Sequence, residues 1–433
     1  MAVKLNSTGG GSVTLDSPST ASNYTVTLPS AAGTLATTTG TLASPTITGT
    51  VAGGATYTSP TLTGASITAA NSNTVEATSG PTSSQLAGNR NKIINGAMMI
   101  DQRNAGAATA NTISGYVVDR WAVQQTTTGK LIAQQNAGSV TPPTGFTNYF
   151  GVTSQSAYAT GAGDQFLIQQ PIEGYNLADL AYGTASAATI TLSFWVRSSL
   201  IGTFSGYLLI YDPTSTFRSY AFTYVIPTAN TWTQISTTIT GNTANAFGST
   251  TNGLGAWLRF NLGAGANYIG TANSWQSGNN GFVSGSQSIV GTNGATFYIT
   301  GVQLEKGATA TPFENRLYGT ELALCQRYLP VTYGGSNLVT AIGQCYSTTA
   351  AFIVFPFNVL PRTTPTGVTL GASVGSYATS NATGGNTTLT GLVFGQGGAN
   401  AGGLTATVAS GLVAGNATYF FTPANIYWTG CEL

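Results

Sequence analysis

The sequence predicts an all-β protein, and three observations carry that prediction. Apolar residues recur at every second position in many short segments, clusters of Gly, Asn and Pro interrupt those segments, and helical periodicity is nearly absent. Intrinsic disorder is the usual alternative for a chain rich in Gly, Ser and Thr, but disordered segments lack aromatic and β-branched residues. This chain carries 20 Tyr, 18 Phe and 6 Trp in 433 residues, enough to build sizeable cores.

Residues 1–40 read as an arm in which Val13–Leu15 and Tyr24–Leu28 alternate cleanly, suggesting a small β-structured anchor. Residues 41–88 contain a repeat: Ser44-Pro-Thr-Ile-Thr-Gly49 returns as Ser59-Pro-Thr-Leu-Thr-Gly64, with a period of fifteen residues. Such a unit is too short to bury a core in one chain. Three chains wound together would do it by placing Ile47 and Leu62 on a shared axis, and the spacing is similar to the triple β-spiral shafts of viral fibres. A flexible linker is the alternative for this composition.

Residues 89–313 carry the signals of a β-sandwich. Ile190, Leu192, Phe194 and Val196 face one way and Thr191, Ser193, Trp195 and Arg197 the other; Leu254, Ala256, Leu258, Phe260 and Leu262 repeat the pattern. Further strands are expected at Tyr207–Tyr211, Phe222–Ile226, Trp232–Ile239 and Thr296–Leu304, the last with a bulge at Gly301, where the apolar parity shifts. Helical spacing elsewhere is confined to Asn176–Tyr182. Residues 314–330 hold a short junction helix, with Thr320 as N-cap, Glu321 favourable to the helix dipole and Pro330 as stop. A helix of about two or three turns is marginal alone and must be packed. Residues 331–433 form a last unit with only Arg362 and Glu432 charged. A trimeric β-sandwich tip is expected there, completed by neighbouring copies, with Leu322, Cys325 and Tyr328 of the junction helix packed at the trimer axis.

The stretch TFYITGVQLEKGATATPFENRLYGTELALCQRYL (296–329) resembles a junction that recurs in tail fibres and related appendages of tailed bacteriophages. Asn91–Arg103, followed by Asp119–Trp121, resembles the opening of the same domain, and Trp428–Leu433 is similar to the ending of many such fibres. The first forty residues resemble the start of fibre proteins from phages of aquatic bacteria. The strands ITLSFWVRS, TWTQIS and FYITGVQLE together are similar to the jelly-roll shared by many carbohydrate-binding modules. The resemblance implies a virion appendage, usually trimeric, held through residues 1–40 by a tail or baseplate protein. A head fibre or decoration protein docked on capsid is the alternative.

Only 6% of residues are charged, against about 25% in an ordinary soluble domain, and the net charge is +1. Steering toward nucleic acid or an anionic membrane is therefore not expected, and no run approaches the length of a membrane span. MAVKLNST lacks the apolar run of a secretory signal, which fits a virion part assembled in the host cytoplasm. Histidine is absent, which removes Ser-His-Asp and Cys-His catalysis and the common zinc sites. Cys325, Cys345 and Cys431 are too scattered for a disulfide framework and read as small buried hydrophobes. No cofactor is expected; a structural Ca²⁺, as in many jelly-roll lectins, has no ligands that the spacing picks out.

A tailspike depolymerase would need two carboxylates flanking a sugar. Asp164, Glu173, Asp179 and Asp212 are the acids available, each with a structural role open to it, so catalysis is not expected. Host-surface polysaccharide is the expected ligand, because sugars stack apolar faces on aromatic rings while amides satisfy their hydroxyls. Asn267–Asn280 (NYIGTANSWQSGNN) offers both, with Tyr268 and Trp275 as platforms and Asn273, Gln276 and Asn279 as hydrogen-bond partners. Tyr427 and Trp428 are the second candidates.

Overall fold

The computed structural model describes residues 3–6, 12–15, 90–110, 114–211, 216–336 and 338–433. Strands β1 (Val3–Asn6) and β2 (Ser12–Leu15) pair antiparallel, Val3 opposite Leu15, so the alternation at Val13–Leu15 does mark a strand. They belong to a first unit, Met1–Thr74, distinct from Val75–Leu433. Tyr24–Leu28, Ile47 and Leu62 lie outside the described residues.

The second unit opens with a sandwich built from β3 (Thr109–Ala110), β4 (Ser114–Val118), β5 (Trp121–Gln125), β6 (Leu131–Gln135), β7 (Phe150–Ser154) and β8 (Gln165–Glu173). It continues through β9 (Ile190–Ser198), β10 (Gly202–Tyr211), β11 (Phe217–Ile226), β12 (Thr233–Ile239) and β13 (Leu254–Ala264). Short strands β14 (Ile269–Gly270), β15 (Trp275–Ser277) and β16 (Phe282–Val283) precede the long β17 (Thr296–Lys306). One sheet has the order β15-β11-β10-β13-β8-β5-β4, the other β12-β9-β17-β7-β6-β3. Every pairing within these two sheets is antiparallel. The inward parity is the one the alternation gives: Ile190, Leu192, Phe194 and Val196 meet Leu258, Phe260 and Leu262 in a core that also holds Trp121, Phe166, Phe204 and Phe222. Each such side chain contributes about 1.5–3 kcal/mol on burial. The expected bulge is present: the β17–β9 register slips between Thr300 and Gln303, and Gly301 has φ +62°, with the Phe146 ring where a Cβ would stand. Asn176–Tyr182 forms no α-helix; two single 3-10 turns, Gly174–Asn176 and Ala178–Leu180, occupy its place.

Helix α1 spans Tyr318–Gln326. Its N-cap is Leu317, without a side-chain cap, so Thr320 lies inside the helix instead of capping it. Glu321, in the first turn, ties the helix to residue 95 by accepting from the Asn95 N–H, and it pairs with Arg316. Cys325 and Tyr328 are buried against Ile94 and Ile100, and Leu322 packs at the edge of that cluster. This corrects the expected trimer axis, since the side chains meant for a neighbour are already covered by residues 94–100 of the same chain.

Strands β18 (Val331–Thr332), β19 (Val339–Cys345), β20 (Ala350–Pro356), β21 (Gly367–Leu370), β22 (Ala378–Ser380), β23 (Asn386–Gly397), β24 (Ala401–Val408), β25 (Ala417–Phe421) and β26 (Ile426–Thr429) complete the chain. Six of them close into a barrel, β19-β20-β24-β23-β22-β25, flanked by the sheet β18-β26-β21. Closure distinguishes this unit from the open sandwich expected here. It fills its own centre with Ile353, Phe355, Leu404, Phe420 and Trp428. All three cysteines are free and buried.

Ion pairs concentrate where sandwich, helix and barrel meet. Arg120, 1% exposed, donates to Glu432 at 2.6 Å and to Pro171 O, with the Tyr328 ring 3.6 Å from its guanidinium carbon. Arg103 takes the other Glu432 oxygen at 2.8 Å, and Arg327 pairs with Glu173. From the barrel side, Arg362 donates to the carbonyls of Asn252, Cys431 and Glu432.

Candidate functional site

Alternation on the seven-stranded sheet sends one set of side chains inward and leaves the opposite set on its outer face. Register places Gln169 opposite Arg259 and Arg259 opposite Tyr207, giving a polar row across β8, β13 and β10. Arg259 Nε donates to Gln169 Oε1 at 2.9 Å, and Nη1 donates to the Tyr207 hydroxyl and to Asn279 Oδ1, both at 3.1 Å. Tyr207 in turn donates to Asn279 Oδ1 and accepts from Gln165. Burial, partly offset by Arg259, pushes the Tyr207 phenol above its ordinary value, so it remains a neutral donor at physiological pH.

Beside the row runs an aromatic strip. Trp257 lies on the same face of β13 as Arg259, whose guanidinium stands 5.0 Å from the indole ring. Phe217 lies 6.3 Å from Trp257 and 4.9 Å from Tyr211, its cross-strand partner. Tyr211 and Phe217 are more than a third exposed. The face thus sets partly open rings next to a fixed guanidinium and side-chain amides. Its rings can stack an apolar ligand surface, bordered by the half-buried Gln169 and Asn279 amides, while Arg259 and Tyr207 are buried and brace those amides from beneath.

The segment 266–283 lies over part of this face, with Gly281 against the Tyr207 ring and Val283 packed on Leu209 and Ala221. Asn261 Nδ2 donates to Gly281 O at 2.7 Å, Ser219 Oγ donates to Asn280 O, and β15 pairs with the edge of β11. Among the sequence candidates, Asn279 is the one brought into the polar row. Gln276 is spent bracing its own loop, through Thr271 and Asn280. Asn273 is exposed in a left-handed turn, φ +60°, and Tyr268 is half-buried in a 3-10 turn, away from the aromatic strip. Trp275 is half-buried at the sheet edge, packed edgewise against Tyr182 and Tyr220, with its N–H on Thr240 O at 2.8 Å. It plugs the sandwich and is not a free platform.

Trp428 corrects a second expectation. It is fully buried in the barrel against Phe355 and Phe357, with its N–H on Thr332 Oγ1, so no sugar reaches it. Tyr427, on the opposite parity of β26, is half-buried and accepts from Asn425. Trp257, which its strand pattern marks only as core or sheet surface, and Arg259 carry a signal in the sequence: both oppose the inward parity of Leu258 and Phe260.

The carboxylates weighed for catalysis have structural partners. Glu173 is buried on Arg327 and the Tyr328 hydroxyl. Asp164 accepts from Thr126, Tyr158 and the Gly161 N–H, bracing a turn. Asp179 pairs with Lys92 at 2.7 Å in a cavity of about 350 Å³ whose lining includes no second carboxylate. Asp212 lies outside the described residues. Among the described residues, no group of three His, Cys, Asp or Glu side chains stands together to hold a metal ion.

No protein-family model and no curated protein matches the chain. Solved structures similar to it include the enzymatically active domain of tailspike protein 4 of bacteriophage CBA120, at 15% identity and TM-score 0.28 over 50% of this chain and 22% of that one. The chain thus spans about a fifth of that tailspike domain. The xylan-binding domain CBM22-1 of Paenibacillus barcinonensis Xyn10C has 10% identity and TM-score 0.25 over 48% of this chain and 99% of that one. A family 11 carbohydrate-binding module from Clostridium thermocellum has 14% identity and TM-score 0.23 over 45% and 92%. All three scores lie below 0.5, and the site stands on its own geometry.

Proposed function

We propose that the chain is a structural virion protein, a homotrimeric phage tail fibre that attaches the particle to host-surface glycan without cleaving it. The observation that carries the binding reading is the outer sheet face, where Trp257, Phe217 and Tyr211 lie beside the Gln169–Arg259–Asn279 row. A neutral sugar matches that pairing of rings with amides. The phage reading is supported by the junction wording of residues 296–329, and attachment through residues 1–40 to a tail or baseplate protein goes with it. Capsid attachment, as a head fibre, uses the same site. Three weak sites per fibre raise the effective affinity through avidity, so single-site contacts need not be strong.

The test is binding of the full chain to envelope polysaccharide of its host. Trp257→Ala is expected to weaken binding at least tenfold with the circular dichroism unchanged, whereas Trp275→Ala is expected to lower stability and leave binding within about twofold, as a plug would. Unchanged binding by Trp257→Ala removes the sheet-face site. New reducing ends on incubation with the polysaccharide would instead make the protein a tailspike depolymerase.

A further inference from the structure

The outer wall of the barrel is apolar in a way that its own fold does not use. On β19 and β20 the inward positions are Ala341, Ala351, Ile353 and Phe355, all in the core. Register then aligns the outward positions of three neighbouring strands: Tyr419 on β25, Ile342 on β19 and Val354 on β20. Ile342 is 65% exposed and Tyr419 57%. One row along, Phe352 lies flat over β24, where a Cβ on Gly403 would fall 2.1 Å from its ring. Ile342, Val354 and Phe352, with Gln344, Tyr346 and Pro356, line a shallow cavity of about 670 Å³.

We infer that this wall is the seam between copies of the chain, with the barrels packed around a common axis. This rests on the homo-oligomeric reading above and names the surface that makes it. Three considerations fix the occupant. The barrel is closed, so it offers no strand edge, and a partner must dock face to face. Both charged residues of 331–433 point at the sandwich, Arg362 to Asn252 and Glu432 to Arg103 and Arg120, which leaves the wall without an ion. A second copy of the same wall needs no ion desolvated on either side. The size also fits. Ile342, Tyr346, Tyr419 and Val354 are 65%, 58%, 57% and 44% exposed, which puts the wall in the range of the largest apolar patch, about 300–600 Å², that a monomer carries. A standard interface buries about 800 Å² per partner with roughly 56–65% apolar, so this wall supplies the apolar share of one such contact. Sugar is the poorer occupant, because the aliphatic Ile342, Val354 and Pro356 make up half of the side chains that line the cavity and offer the hydroxyls of a sugar no hydrogen-bond partner.

The experiment uses the full chain. Light scattering at micromolar concentration is expected to return about three times 44.1 kDa for the natural sequence and a single chain for the double variant Ile342→Asp, Val354→Asp. As a second arm, Val354→Cys is treated with a short bis-maleimide. The three natural cysteines are buried, so the new thiol is the accessible one, and a covalent dimer is expected on a denaturing gel. If the natural chain assembles but the charged variant still does so and the thiol fails to link, the wall is not the seam, while the homo-oligomeric reading stands. A natural chain that stays at 44.1 kDa ends both. Should the charged variant lose its fold, the cross-link alone decides. Loss of polysaccharide binding by an assembled charged variant would make the wall a glycan surface and overturn the inference.

Discussion

On the sandwich, the outer face of the seven-stranded sheet sets the partly exposed Trp257, Tyr211 and Phe217 beside a braced polar row, Gln169, Arg259, Tyr207 and Asn279. On the barrel, the corresponding positions are Ile342, Val354, Phe352 and Tyr419, with no ion among them. Inside, the two resemble each other, both packed with aromatic and branched side chains. The difference therefore lies wholly on the surface. On the proposed reading the contrast has a cause: a face that binds a hydrated ligand reversibly keeps its polar groups, and a face covered by another copy can omit them. Several of the few charges that the sequence contains gather where the two regions meet. Arg120, Arg103 and Arg362 bind across the joint, and Arg327 ties the helix end to Glu173 of the sandwich.

The strongest way to break the comparison is to take that joint apart. Glu432→Ala leaves Arg120 buried with no carboxylate, and removing one member of a buried pair costs about 3–5 kcal/mol. Urea unfolding is expected to show a loss of this size and, through the freed C-terminal contact, a barrel that unfolds ahead of the sandwich. A loss under about 1 kcal/mol would mean that the two regions are held together by packing alone.

A smaller effect comes from Asp119, whose carboxyl is pushed up to about 6 by burial in the same region, against hydrogen bonds from Gln102 and the charge of Arg103. The folded chain holds this proton when the unfolded chain has lost it. Stability from this group is therefore full below about pH 4 and is lost as pH rises toward 6, by about 2–3 kcal/mol. Asp119→Asn keeps the acceptor for the Gln102 N–H and removes the titration. The difference in melting temperature between the two proteins should then move in favour of the variant from pH 4 to pH 7. A constant difference over that range would show Asp119 to be solvated.

Period-two alternation made the sandwich legible because the apolar side chains that meet in its core recur at every second position, and Ile190–Val196 and Leu254–Leu262 announce that parity even where the opposite face is buried too. The Gly301 bulge was legible for the same reason, since a parity shift in a buried strand has few other causes. Barrel closure was not, because strands alternate alike in open and closed sheets. The burial of Cys325 and Tyr328 was hidden differently: their cover, Ile94 and Ile100, lies more than two hundred residues earlier in the chain. Trp257 and Trp428 both sit in alternating strands, and only the neighbouring parity separates a surface ring from a core one. In β20 even that fails, because Phe352 and Val354 outside are as apolar as Ile353 and Phe355 within.

That failure sets up the last and smallest effect. Ile353 and Ile342 lie on adjacent barrel strands, one at the core and one outside, and carry the same side chain. Ile353→Ala should cost about 2–5 kcal/mol at any chain concentration, because it opens a cavity within one barrel. Ile342→Ala removes side-chain atoms that a single barrel leaves in water, so its cost in a dilute, dissociated sample should stay within about 0.5 kcal/mol. Its remaining effect should emerge only as the chain is concentrated, since a contact between copies stabilises by mass action. Unfolding midpoints of both variants across a hundredfold range of concentration separate the two behaviours. An Ile342→Ala cost that is large and independent of concentration would mean the wall is covered by its own chain, and the contrast between sandwich and barrel would go with it.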